Sequence, residues 1–289
     1  MELEQAPEPP DEPAPAKKKR GPGRNLPIAI GVGLGLGGLV LVSLYTIKAI
    51  FLVVMTVFMA VALRELAQAM ATRGIRVPIV PLGLGLVAAV VFAYWQGAAG
   101  LAGAFTLTVL SLMIWRMPEG SDGYVRDATA SVFIASYLPL MGGVVALMLA
   151  PDDGAARIVI FVAVTVSSDI GGFFVGAFLG RHKMAPTISP KKTWEGFTGS
   201  ALTCMAVGSW LVPGLLHGEV WQGAVLGAAV VCTATVGDLI ESMIKRDLGI
   251  KDMGTLLPEH GGVMDRLDSL LATAPVVWLV LESFVPQAS

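Results

Sequence analysis

Apolar residues run along this chain in long blocks, separated by short polar stretches. A block of about 18 or more apolar residues is long enough to cross the hydrocarbon core of a bilayer as a helix. On that criterion the sequence predicts nine spans, at approximately 26–45, 49–63, 78–95, 99–115, 129–150, 157–180, 199–216, 222–244 and 270–287. The second is short and flanked by Lys48 and Arg64, so it is expected to be tilted or only partly inserted. The fold class that follows is all-α: a polytopic membrane helical bundle of about nine transmembrane helices.

Composition agrees. The 289 residues are 54% hydrophobic and only 15% charged, with a mean hydropathy of +0.71, whereas a soluble domain carries about 25% charged residues. The first 24 residues differ, being rich in Pro, Glu and Ala and closing on Lys17, Lys18, Lys19, Arg20 and Arg24. Such a segment cannot bury a core and is expected to be a disordered tail. A basic stretch before an apolar run resembles a signal peptide. The run from 26 to 45 is long enough to span, however, and no small-residue cleavage site ends it, so an uncleaved first helix is expected.

Charge placement orients the bundle. Short cytoplasmic loops carry an excess of Lys and Arg. With the N-terminal tail in the cytoplasm and the sides alternating, 18 of the 20 basic residues fall on the cytoplasmic side. Only Lys48 and Arg157 fall outside, where the loop at 151–154 is acidic. A cell-membrane protein (inner or plasma membrane) with a cytoplasmic N-terminus is expected.

Two features carry no chemistry. Residues 33–38, GLGLGG, satisfy the GxGxxG dinucleotide fingerprint, but they lie inside an apolar span with no preceding strand. Glycines in a membrane helix usually let another helix approach closely, which is compatible with a homodimer. Cys204 and Cys232 fall in apolar stretches without metal-site spacing and read as small hydrophobes.

Three regions break the apolar rule. Asp169 lies in the sixth span among Ser167, Ser168, Gly171 and Gly172. A charge there costs about 2.5–3.5 kcal/mol on insertion scales and is usually functional. The loop 181–196 holds Ser189, Lys191, Lys192, Thr193, Trp194 and Glu195, a set of cations and hydroxyls suited to an anionic ligand. The densest region is 238–268. Asp238, Glu241, Ser242 and Lys245 are spaced i, i+3, i+4, i+7 and share one helical face. Arg246, Lys251, Asp252 and a Pro258–His260–Gly261–Gly262 turn follow, then Asp265, Arg266 and Asp268. Carboxylates from two helix ends beside several cations suit a metal–phosphate site, because Mg²⁺ takes oxygen ligands, commonly one or two carboxylates plus substrate phosphates.

Residues 242–268, SMIKRDLGIKDMGTLLPEHGGVMDRLD, resemble the signature of the phosphatidate cytidylyltransferases, also called CDP-diacylglycerol synthases. Ser242, Lys245, Arg246, Lys251, Asp252, Gly254, Leu257, Pro258, His260, Gly261, Gly262, Asp265, Arg266 and Asp268 fit it without a gap. SPKKTWEG at 189–196 and GDLIES at 237–242 are similar to the family as well, so the resemblance covers about 160–287; the first half matches only as a series of spans. The resemblance implies transfer of a cytidylyl group from CTP to phosphatidic acid, giving CDP-diacylglycerol and pyrophosphate for phospholipid synthesis. It implies Mg²⁺, with room for a second cation, held chiefly by Asp238 and Asp265 with Asp169. Asp268, Lys245 and His260 would join Asp238 and Asp265 in catalysis. Ser189, Lys191, Lys192, Thr193, Ser242, Arg246, Lys251 and Arg266 would bind the triphosphate and lipid headgroup.

The expected organisation is a tail at 1–24, N-terminal membrane helices at 25–155, and catalytic membrane helices with cytoplasmic active-site loops at 156–289. CTP, phosphatidic acid and the bilayer are the expected partners, with no nucleic acid. A transporter would show symmetric halves or paired broken helices near the midplane, whereas here the polar residues gather in the C-terminal half and near one face.

Overall fold

The computed structural model describes residues 26–256 and 261–285, without the side chains of 26–30, 32, 34 and 36. The expected disordered tail (1–24) and the turn at 257–260, with His260, lie outside the described residues. The helices are α1 (Leu26–Thr46), α2 (Lys48–Ala71), α3 (Ile79–Arg116), α4 (Tyr124–Tyr137), α5 (Pro139–Leu149), α6 (Gly154–Leu179), α7 (Trp194–Leu216), α8 (Val220–Leu248) and α9 (Met264–Phe284). A 3₁₀ turn, Met117–Glu119, follows α3, and a two-stranded antiparallel ribbon, β1 (Lys183–Ala185) and β2 (Ser189–Thr193), joins α6 to α7.

The protein is an all-α polytopic membrane protein in its architecture. Among the described residues, seven helical stretches are long and apolar enough to cross a membrane: Lys48–Ala71, Ile79–Glu119, Tyr124–Leu149, Gly154–Leu179, Trp194–Leu216, Val220–Leu248 and Met264–Phe284.

The structure redraws several expected boundaries. The second span is not short: α2 has 24 residues, about 36 Å at 1.5 Å per residue, and it runs past Arg64. The spans expected at 78–95 and 99–115 fall in one stretch, Ile79–Glu119, which breaks at Gly97. Gly97 has φ 68 and ψ −154, a conformation glycine alone adopts freely. A Cβ on Gly85 would overlap the Thr108 side chain. In an unbroken helix those residues would stand about 35 Å apart, so the stretch doubles back at Gly97. The fifth span divides into α4 and α5 at Leu138, because Pro139 has no N–H to continue the ladder. The seventh begins at Trp194 rather than 199, and the eighth extends to Leu248, which places Lys245 and Arg246 on its last turn.

Helices α6 to α9 touch through glycines, as membrane helices do where backbone must meet backbone. Gly208 of α7 meets Gly223 of α8, Gly227 of α8 meets Cys204, and Gly237 of α8 meets Ala272 of α9. The α1 glycines do the opposite: Gly31, Gly33, Gly35, Gly37 and Gly38 have open space beside them.

The two basic residues outside the main charge bias are both engaged. Lys48 donates to the carbonyls of Ala150 and Pro151 beyond the end of α5, where unpaired carbonyls favour a cation. Arg157, 2% exposed, forms a two-pronged ion pair with Asp153 at 2.7 and 3.0 Å.

Candidate active site

The site is built on the seam between α6 and α7. Gly171, Gly172 and Gly176 on α6 face Gly199, Ser200 and Gly196 on α7; a Cβ on Gly196 would lie 3.1 Å from the Gly172 carbonyl oxygen. Ser200 Oγ donates to the Ser168 carbonyl at 2.6 Å and fixes the register. The absence of side chains along the seam leaves a cavity of ≈ 390 Å³, into which Asp169, Lys191, Lys192, Thr193, Thr235 and Asp238 project or border.

Asp238 is held from two sides. Lys192 Nζ, at the end of the ribbon, forms an ion pair with Oδ2, and Ser269 Oγ on α9 donates to Oδ1 at 2.6 Å. The neighbouring Asp268 accepts the Ser269 backbone N–H at 2.7 Å. Asp169, Asp238 and Asp268 lie within electrostatic reach of one another. Carboxylates at that range repel one another when ionised, and Lys192 offsets part of that repulsion.

One turn further along α8 is a second charged group. Lys245 Nζ bridges Glu241 Oε2 at 2.7 Å and Asp265 Oδ1 at 3.0 Å. Glu241 is 2% exposed and Asp265 7%. Asp265 also accepts the backbone N–H groups of Met253 (3.0 Å to Oδ2) and Gly262 (2.8 Å). It therefore pins both described ends of the 254–262 loop onto the start of α9. Gly261, with φ 81, comes so close to Asp265 that a Cβ there would sit 3.0 Å from Oδ2.

The expected residues sort as follows. Asp238, Asp268, Lys192 and Asp169 converge, with Lys191 on the cavity wall; Lys245 and Asp265 form the adjoining group. Of the expected metal trio, Asp169 and Asp238 border the same cavity, while Asp265 is bonded to Lys245 and the loop amides. Thr193 caps α7, its Oγ1 accepting the Gly196 N–H at 3.1 Å, while bordering the cavity. Arg246 Nε donates to the Ile188 carbonyl at 2.7 Å, tying α8 to the ribbon. Ser189 opens β2 opposite Ala185. Ser242 is half-buried on α8, and Lys251 and Arg266 are exposed. His260 is not among the described residues.

Three contributors escaped sequence reasoning. Ser269 looked like an ordinary helix residue, although it stands four positions past Asp265 on the same face. Glu65, on α2, is buried and accepts the Met264 backbone N–H at 2.9 Å. Tyr137, on α4, buries a hydroxyl with no hydrogen-bond partner among the described residues, within electrostatic reach of Glu241 and Asp268. Both Glu65 and Tyr137 belong to the half of the chain that carries no motif.

Among the described residues, no group of three or more His, Cys, Asp or Glu is gathered at metal-binding range. The donor chemistry nevertheless fits a hard cation: its carboxylates offer oxygen ligands, and Glu241 Oε1 is buried with no hydrogen-bond partner among the described residues. Mg²⁺ commonly draws on one or two carboxylates and completes its shell with phosphate and water.

The fold is that of an integral-membrane helical protein, and its candidate site gathers lysines and carboxylates of the kind that suit phosphorylated ligands. The sequence matches the model of the cytidylyltransferase family over residues 28–284. It is 39% identical over 259 residues to the phosphatidate cytidylyltransferase of Mycobacterium tuberculosis (strain ATCC 25618 / H37Rv), covering 84% of this chain and 79% of that one. It is 40% identical over 261 residues to that of Mycobacterium leprae (strain TN), covering 84% and 83%. With that of Brucella suis biovar 1 (strain 1330) it shares 44% identity over 127 residues, 44% of this chain and 47% of the relative. The chain belongs to the cytidylyltransferase family. The likeness to the mycobacterial enzymes reaches well beyond the C-terminal motifs, so the N-terminal helices are part of the family fold and not only a run of spans.

Proposed function

We propose that the cavity between α6, α7 and α8, with the adjoining Glu241–Lys245–Asp265 group, is where this enzyme transfers a cytidylyl group from CTP to phosphatidate. An oxygen of the lipid phosphate attacks the α-phosphorus of CTP; a new P–O bond forms, the bond from the α-phosphorus to the bridging oxygen breaks, and pyrophosphate leaves with that electron pair. The products are CDP-diacylglycerol and pyrophosphate. Such chemistry needs positioning and charge neutralisation more than covalent help. The observation that carries the reading is the convergence of Lys191 and Lys192 with Asp169 and Asp238 on one cavity floored by glycine.

Asp238 and Asp169 would hold a Mg²⁺ there, and Asp265 would join them by giving up its bond to Lys245. A bound Mg²⁺ supplies neutralisation of phosphate charge. Lys192 and Lys245, released from the carboxylates, would turn to phosphate oxygens, with Lys191, Arg246, Lys251 and Arg266 binding the rest of the triphosphate and headgroup. Ser189, Thr193 and Ser242 offer hydroxyl donors, Asp268 orients Ser269 beside Asp238, and His260 completes the set carried over from the family motif.

The same reading sets the topology. Counting α1 and splitting Ile79–Glu119 at Gly97 gives nine crossings, with the N-terminus, the ribbon and the 249–263 loop in the cytoplasm of a cell-membrane protein. CTP is soluble and phosphatidate carries its phosphate at the interface, so a site at the cytoplasmic helix ends meets both. In this scheme residues 25–155 support the catalytic helices of 156–289, and the open glycine face of α1 suits a second copy of the chain.

The test is to incubate membranes containing the protein with labelled CTP, phosphatidate and Mg²⁺. Organic-soluble CDP-lipid is expected, lost with EDTA and with Asp265→Ala. Full activity in a folded Asp265→Ala protein would overturn the site.

A further inference from the structure

A second, apolar cavity lies behind the α6 wall of the site. Its volume is ≈ 600 Å³, with α1 and α2 on one side and α5, α6 and α9 on the other. Leu44 and Phe58 face it from the first wall, Val162 and Leu270 from the second. Along α9 it runs from Arg266 to Ala274, about 12 Å of helix. Among the described residues Arg266 is its one charged lining residue.

Two relationships connect this groove to the reacting groups. Val166 borders the groove and Ser168, two positions on and so on the opposite face of the same turn, borders the Lys192–Asp238 cavity, so the thickness of α6 separates the spaces. Arg266, at the end of the groove, lies within electrostatic reach of Asp169, which borders the catalytic cavity. A groove lined by hydrocarbon suits a hydrocarbon occupant. A guanidinium at one end suits a phosphate, since its planar donors match phosphate oxygens. Phosphatidate joins these two features in one molecule.

We infer that the groove is the acyl-chain subsite of the lipid substrate: one chain of phosphatidate lies between the α1–α2 wall and the α6–α9 wall. Arg266 holds the lipid phosphate where groove and catalytic cavity meet. The inference rests on the placement of cytidylyl transfer in the Asp238 cavity. It also gives α1 and α2 a task in the reaction, because without them the groove has one wall.

The test compares long-chain and short-chain substrates on the purified full-length protein. Val162→Trp and Leu270→Trp each fill the groove without touching the Lys192–Asp238 cavity. Each is expected to raise KM for dioleoyl phosphatidate about 10-fold or more, because apolar pockets discriminate on shape to that extent, and to leave KM for CTP and for dihexanoyl phosphatidate unchanged. Equal effects on both lipids, or none on either, would overturn the subsite. A second measurement needs no variant: wild-type protein is photolabelled with phosphatidate bearing a diazirine in its acyl chain. Adducts on α1, α2, α6 or α9 groove residues, competed by phosphatidate but not by phosphatidylcholine, are expected; equal competition by the two would mean bulk bilayer lipid and refute the subsite. Wild-type protein that makes CDP-lipid from neither chain length would instead overturn the placement of the activity.

Discussion

Glu65 on α2 accepts a hydrogen bond from the backbone N–H of Met264, the first residue of α9, at 2.9 Å and across 199 positions of sequence. A helix N-terminus presents unpaired N–H groups and a positive dipole end, and a carboxylate answers both. The same carboxylate fills the space beside Gly254 and Gly262, where a Cβ on Gly262 would lie 2.6 Å from Oε2. Glu65 is thus a positioning residue: it touches the loop that Asp265 pins and the helix that carries Asp265, Asp268 and Ser269.

Removing it should loosen that helix start. Glu65→Ala is expected to lower kcat by about 10²-fold, the scale on which a small misplacement of reacting groups acts. KM for CTP should move far less. Glu65→Gln keeps an acceptor for the Met264 N–H and is expected to restore most of kcat. Steady-state kinetics of the two variants separate positioning from general destabilisation, which would move both parameters or the yield of folded protein.

Lys245 stands between two buried acids. Lys245→Met would leave Glu241 and Asp265 without their shared cation, and breaking a buried pair in this way costs about 3–5 kcal/mol. A clear drop in thermal stability is expected, together with loss of activity. Adding Glu241→Gln removes one of the stranded charges and should recover much of the melting temperature but none of the turnover. Melting curves and CDP-lipid assays on the single and double variants check this.

The reversal at Gly97 makes a topological prediction. Ala98 is exposed beside the turn; if the two halves of Ile79–Glu119 each cross the bilayer, Ala98→Cys should react with a membrane-impermeant thiol reagent from outside only. Asp152→Cys, exposed in the loop before α6, should behave the same way. A single crossing would place position 98 near mid-bilayer, where it would not label at all.

The legibility of this chain follows from what membrane and phosphate chemistry demand. Long apolar runs are visible because a bilayer requires them, and the runs at 26–45 and 157–180 fall within three residues of the ends of α1 and α6. The 49–63 span was too short because Arg64 was read as an end, whereas α2 continues with Arg64 on its exposed face and Glu65 turned inward. Asp238, Glu241 and Lys245 were legible because helical phase alone puts them on one face. Asp265's hold on Met253 and Gly262 was not, since it depends on a loop closing back onto its own helix. Glu65 and Tyr137 were hidden for a simpler reason: neither belongs to a motif, and only the bond of Glu65 to the start of α9 and the nearness of Tyr137 to Glu241 and Asp268 show what each faces.

Glycine spacing yields the last prediction, because the structure separates glycines that are needed from those that are free. A Cβ on Gly199 would meet the Val175 side chain and lie 2.9 Å from the Gly171 carbonyl oxygen, whereas one on Gly103 would meet nothing within 4 Å. At Gly103 alanine only relieves the entropy that glycine carries in a helix, about 0.5–1 kcal/mol. At Gly199 it must push α6 away from α7, and overpacking of that kind costs about 1–3 kcal/mol. Gly199→Ala is therefore expected to lower the melting temperature by several degrees and Gly103→Ala to leave it unchanged or raise it. Because the α6–α7 seam is also the floor of the Lys192–Asp238 cavity, Gly199→Ala should lose activity at temperatures where the protein remains folded. Turnover measured well below the melting transition tests that link: a Gly199→Ala protein that is less stable but fully active there would show that the seam supports the fold without shaping the site.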